Sequence, residues 1–270
     1  MAAWKEDLIH AAMTRVWGIN AKLSSDPDRL WHPVGFVHGN GPKVMLAFHG
    51  IGQDHRCFLP LAEVLKDQYT FYLVDLPFHG QSLPLQTEKL TMEAWKASLA
   101  FLLNENNITT FSVVGFSMGG KFALGTVQLF PKQIESCWLL APDGITESPW
   151  YRLATRFWLT KFFFRIFISN AGNVKKLAYP LLKLNLVEKS TVKFAESTLA
   201  NAAQRERVYR SWVGFSGIRP DMAAVAQIVV QNHIQLKLFL GQFDTLLPIS
   251  YIKPLTRRLP DVKPIMLKTG

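Results

Sequence analysis

Cysteine is nearly absent: Cys57 and Cys137 are the only two in 270 residues, so no disulfide framework or cysteine-based metal site can be built from them. Long apolar runs are missing as well. The nearest, residues 156–168, is broken by Lys161 and Arg165 and falls short of the roughly 18 apolar residues that a membrane-spanning helix needs. The opening Met-Ala-Ala-Trp-Lys-Glu-Asp puts acids where a secretory leader carries a basic and then an apolar stretch, which gives a cytoplasmic expectation. Internal repeats and low-complexity tracts are not found. With 49% hydrophobic and 19% charged residues, the composition excludes a disordered chain, a collagen and a coiled coil. The length suits one α/β domain with an insertion, or two domains.

Acidic residues are scarce in one place. Between Ile145 and Arg219 there are 13 Lys and Arg against 4 Glu and no Asp, so this segment carries +9 of the formal net charge of +10. Basic chains often bind nucleic acid, but here the charge belongs to a single segment rich in Trp and Phe, and no recognition motif accompanies it. Nucleic acid is therefore not expected. Acidic partners, anionic lipids and anionic substrates fit the charge.

What the chain does have is alternation. After a helical N-terminus, the stretches 44–48, 71–74, 111–114, 137–140, 236–240 and 262–267 read as strands. They are near-continuous apolar runs, as expected of strands buried on both faces. Helical patterns fall between them at 59–66, 91–104 and 121–130. Strand–helix alternation predicts an α/β fold with a mostly parallel sheet flanked by helices. The alternation stops after Leu140, and residues 145–219 show only helical pattern before the sheet resumes. The chain thus divides into a core, 1–144 and 220–270, and an inserted helical segment, 145–219.

The sharpest motif is Gly115-Phe116-Ser117-Met118-Gly119, a G-x-S-x-G with a strand before it and a helix after it. A tight strand-to-helix turn exposes the Ser117 hydroxyl, and the helix N-terminus favours negative charge beside it. Upstream, His49-Gly50-Ile51-Gly52 closes one strand, and Asp75-Leu76-Pro77-Phe78-His79-Gly80-Gln81-Ser82 follows the next. Downstream lies Gly241-Gln242-Phe243-Asp244, with Pro248 four residues further on.

Together these motifs resemble the α/β-hydrolase family of serine esterases and lipases, from about Val34 to the C-terminus. The resemblance implies Ser117 as nucleophile, the Ile51 and Met118 backbone N–H groups as oxyanion hole, and Asp244 as the acid that orients a histidine. Asp143, in Ala141-Pro142-Asp143-Gly144, is an alternative acid. His49 and His79 do not match the family's catalytic histidine and read as structural hydrogen-bonding groups. Residues 145–219 would be the cap over the nucleophile. No metal and no organic cofactor is implied.

The catalytic histidine itself is missing. The seven histidines are at 10, 32, 38, 49, 55, 79 and 233, so none follows Asp244. In relatives it comes just after the last strand, here followed only by Lys268-Thr269-Gly270. His233 cannot substitute, because the intervening strand separates it from Asp244 by about 23 Å along the sheet. The expectation is a chain truncated after Gly270, with a natural enzyme-dead relative as the rival. Loss of the base costs on the order of 10⁴-fold in rate, so this chain is expected to be nearly inactive.

In the cap, Trp150, Tyr151, Phe157, Trp158, Phe162, Phe163, Phe164 and Phe167 either pack on the core, line an acyl pocket or rest on membrane. Arg152/Arg156 and Lys161/Arg165 point to opposite sides of a helix, which is not a clean membrane-surface pattern. Lys183, Lys189, Lys193, Arg205, Arg207 and Arg210 could guide an acidic acyl carrier or an anionic acyl substrate, or form a solvated face. The expected activity is hydrolysis of a carboxylic ester or thioester with an apolar acyl part. Acyl transfer, carbon–carbon bond hydrolysis and a non-catalytic ligand- or partner-binding role are the alternatives.

Overall fold

The structure is a computed structural model that describes residues 15–17, 34–147, 149–170 and 189–268. Its centre is an eight-stranded sheet of order β1-β2-β4-β3-β5-β6-β7-β8. The strands are β1 (Arg15–Trp17), β2 (Val34–His38), β3 (Lys43–Phe48), β4 (Tyr69–Asp75), β5 (Phe111–Phe116), β6 (Ile134–Leu140), β7 (Gln235–Gly241) and β8 (Ile265–Leu267). From β4 through β3 and β5 to β8 all pairings are parallel, while β2 joins β4 antiparallel.

The central strands are apolar throughout because both faces are covered. Alternate residues of β4 divide between two cores: Tyr72 and Val74 enter the larger, Phe71 and Leu73 the smaller. Helices α2 (Met92–Glu105), α3 (Gly119–Leu129) and α8 (Met222–Gln231) contribute Trp95, Phe122 and Val225 to the larger core. Helix α1 (Leu59–Val64) closes the smaller one with Ala62. Local signals set the helix starts: the Thr91 hydroxyl accepts from Ala94 N–H at 3.1 Å to cap α2.

Between β6 and β7 the chain leaves the sheet and forms α4 (Pro149–Arg156), α5 (Trp158–Asn170), α6 (Lys189–Thr198) and α7 (Ala202–Gly214) before returning through α8. No strand occurs among the described residues of this excursion. Two strands escape the sequence pattern. β2, Val-Gly-Phe-Val-His, has a glycine that interrupts an already short run, and β1 stands where helix is expected. The remainder of the expected N-terminal helix lies outside the described residues, as does Lys183. The last strand starts at Ile265, not 262, because Pro264 has no N–H for the ladder.

Candidate active site

The turn from β5 into α3 puts Ser117 at φ 50°, a left-handed conformation that serine rarely adopts. Three bonds hold it there: Ser117 N–H donates to Leu140 O at 2.9 Å, while Gly120 N–H and Asp143 N–H donate to Ser117 O at 2.8 and 2.9 Å. The turn closes because Gly115 and Gly119 have no side chains. A Cβ at Gly119 would stand 1.8 Å from Phe48 O, and one at Gly115 2.4 Å from Gly119 O. The Ser117 turn therefore presses directly on the end of β3, from which the His49–Gly52 loop departs.

That loop is tied down by two histidines, each buried. His49 donates from Nδ1 to Gly50 O and accepts Leu76 N–H at Nε2, at 2.8 and 3.0 Å. His79 donates from Nδ1 to Pro77 O and accepts Gly52 N–H at Nε2, at 2.9 and 3.1 Å. Both roles need neutral rings. Burial depresses both pKa values, and for His79 burial with the nearby His49 pushes it down to about 3. Below them Asp75, fully buried, accepts from the His55 and Gln81 amides and from His55 Nδ1. Burial alone would raise its pKa; these bonds outweigh it and hold the carboxyl low.

A cavity of about 890 Å³ opens over Ser117, and Ile51, Met118, Asp143 and Asp244 all line it. Neither Ile51 N–H nor Met118 N–H finds an acceptor among the described residues. Asp244 uses Oδ1 for the Leu246 and Leu247 amides at 2.9 and 3.0 Å, and Asp143 uses Oδ1 for Gly144 N–H at 2.7 Å. The Asp244 loop is joined to the end of β8 by Gln242 N–H to Leu267 O at 2.9 Å, and Leu267 also borders the cavity. No histidine is among the lining residues. His233 lies ahead of β7 and Asp244 beyond its other end.

The far wall comes from the inserted helices, including Tyr151, Arg207, Val208 and Trp212. Phe164 stacks on Trp212 instead, with ring centroids 5.1 Å apart. Arg210 turns outward to Glu206, and Lys193 is exposed. The side chains of Trp150, Arg156, Phe167 and Lys189 lie outside the described residues.

Sequence reasoning passes over Lys121, which is 6% exposed on α3 and borders the cavity. Its ammonium donates to Tyr151 Oη at 3.3 Å and to Phe215 O at 3.2 Å, and Tyr151 in turn donates to Trp212 O at 3.0 Å. Burial lowers its pKa against the pull of Asp143 and Glu147. The available signal was a lone charge in an otherwise uncharged helix.

Among the described residues no helix is long and apolar enough to cross a membrane, and no cluster of metal-ligating side chains occurs. Residues 43–166 match the family described as the alpha/beta hydrolase fold. Over 98 residues the chain is 38% identical to a pimeloyl-[acyl-carrier protein] methyl ester esterase of Stenotrophomonas maltophilia, covering 36% of this chain and 34% of that protein. Over 110 residues it is 34% identical to the dihydrolipoyllysine-residue acetyltransferase component of the acetoin cleaving system of Cupriavidus necator, covering 41% of this chain and 29% of that protein. The match thus spans about a third of these curated relatives. A thermophilic esterase from Thermogutta terrifontis superposes with TM-score 0.63 at 16% identity, over 87% of this chain and 85% of that one. With the sheet order and the structural superposition in agreement, and with the family match over residues 43–166, the chain has the α/β-hydrolase fold.

Proposed function

We propose that the chain is a serine hydrolase acting on a carboxylic ester or thioester with an apolar acyl part. The observation that carries this reading is Ser117, held in a strained turn and facing a cavity, beside two backbone N–H groups without acceptors. Ser117 Oγ attacks the carbonyl carbon and gives its proton to an imidazole. The Ile51 and Met118 N–H groups receive the oxyanion. On collapse the leaving alcohol or thiol takes that proton, and water then releases the acid from the acyl-serine by the same steps.

Asp244 is assigned the task of orienting the imidazole, in preference to Asp143, because its loop is tied to the end of β8 at the cavity rim. No histidine of the described residues lines the cavity, so the imidazole is assigned to none of them. The inserted helices act as the cap, and their apolar lining suits a hydrocarbon acyl chain. No metal or organic cofactor enters this chemistry.

The test uses p-nitrophenyl butyrate with and without free imidazole, comparing the parent chain with Ser117→Ala. In such a site the base is worth on the order of 10⁴-fold in rate, so free imidazole reports on the same step. Added imidazole is expected to raise the parent's rate above that of Ser117→Ala, with Asp244→Asn reducing the gain. Equal rates for parent and Ser117→Ala under both conditions overturn the reading.

A further inference from the structure

Helix α5 is amphipathic in the reverse of the usual sense. Its core-facing side carries Phe164 against Trp212 and Tyr209, the buried Ile168, and Lys161 paired with Glu88. Its solvent-facing side carries Trp158, Leu159, Phe162, Phe163 and Ile166. Trp158 is 77%, Phe162 55% and Phe163 59% exposed, and Phe157 and Leu153 continue the exposed surface towards α4. Soluble surfaces seldom present so many large apolar side chains side by side. In this stretch of sequence the charge has one sign: from Ser148 to Val187 the chain has seven Lys and Arg and no Asp or Glu. Arg152 and Arg165 are exposed on these helices.

We propose that the outer face of α5, with the adjoining end of α4, docks on an anionic lipid surface. Aromatic and aliphatic side chains enter the boundary between headgroups and acyl chains, and the flanking cations meet the lipid charge. The α5 axis lies in the plane of the surface, since the apolar stripe runs along its length. An acidic protein would answer the charge but would leave five large apolar side chains in need of a matching groove; a bilayer answers both. The opposite placement of Lys161 is no obstacle, because Glu88 already occupies it. Lipid docking is independent of the chemistry proposed at Ser117, and its test does not read activity.

Flotation of the full chain with vesicles of phosphatidylcholine alone, or with one-third phosphatidylglycerol, provides the test. The parent is expected to float with the anionic vesicles. Phe162→Asp/Phe163→Asp should lower that partition by at least about tenfold, since two phenylalanine side chains lose their burial. Should that variant fail to fold, quenching by brominated lipid decides: the parent's tryptophan emission is quenched more than that of Trp158→Phe. Three results overturn the proposal. They are no flotation with anionic vesicles, a patch-dependent dimer that does not float, and patch-dependent binding of an acidic carrier protein without flotation.

Discussion

Ser117 stores backbone strain where the chemistry is proposed to occur. A non-glycine residue at φ 50° costs on the order of 1 kcal/mol, and three hydrogen bonds through its backbone over-determine the turn. In most positions alanine is the more stabilising replacement, since glycine has more freedom to lose. At 117 the order reverses: Ser117→Gly is expected to exceed Ser117→Ala in stability by about 1 kcal/mol in urea unfolding. An Ala variant as stable as the Gly variant would remove the strain from the account. The turn was legible in the sequence because its glycines and serine sit within five consecutive residues. Lys121 was not, because its partners Tyr151 and Phe215 are 30 and 94 residues away and only the fold brings them together.

At the scale of elements, the loop after β3 depends on two histidines that must stay neutral. The folded-state pKa of His79 is about 3 against 6.5 for a free side chain, so between these values the unfolded chain binds a proton that the folded chain refuses. The stability this gives is fully present above pH 6.5 and is lost as pH falls towards 3; His49 acts in the same direction. Going from pH 7.5 to 5 should cost about 2 kcal/mol through His79. His79→Gln keeps an acceptor for Gly52 N–H without titrating, so its unfolding midpoint should fall less over that interval. An identical acid dependence in parent and variant would place the effect elsewhere. Strands β3 to β6 were readable because burial on both faces gives each a near-continuous apolar run, although polar residues such as Glu135 and Ser136 hid the start of β6. β2 pairs on one side of the central strands with a glycine as its second residue, and its partner β4 is distant in sequence. Its pattern carries no comparable signal.

For the whole molecule, surfaces were the least legible part, since exposure depends on how remote segments pack. The reversed amphipathicity of α5 is one case. Another is β8, last in the sheet, whose Ile265, Met266 and Leu267 are all exposed while its partner residue Leu240 is buried. An apolar strand at a sheet margin invites pairing with another chain. Met266→Lys is expected to raise the temperature at which light scattering begins, with little change in unfolding midpoint. An unchanged onset would show that association starts from a different surface.

Lys121 touches both points at which the inserted helices join the core. A Cβ on Gly144, just after the chain leaves β6, would stand 2.3 Å from Lys121 Cβ, and the ammonium holds Phe215 O just after α7. The two junctions are pinned to one residue of α3, and the stretch between them closes as a loop whose length costs little. A lineage can therefore change what the cavity admits by exchanging one contiguous stretch of gene, while the serine turn and its sheet are inherited intact.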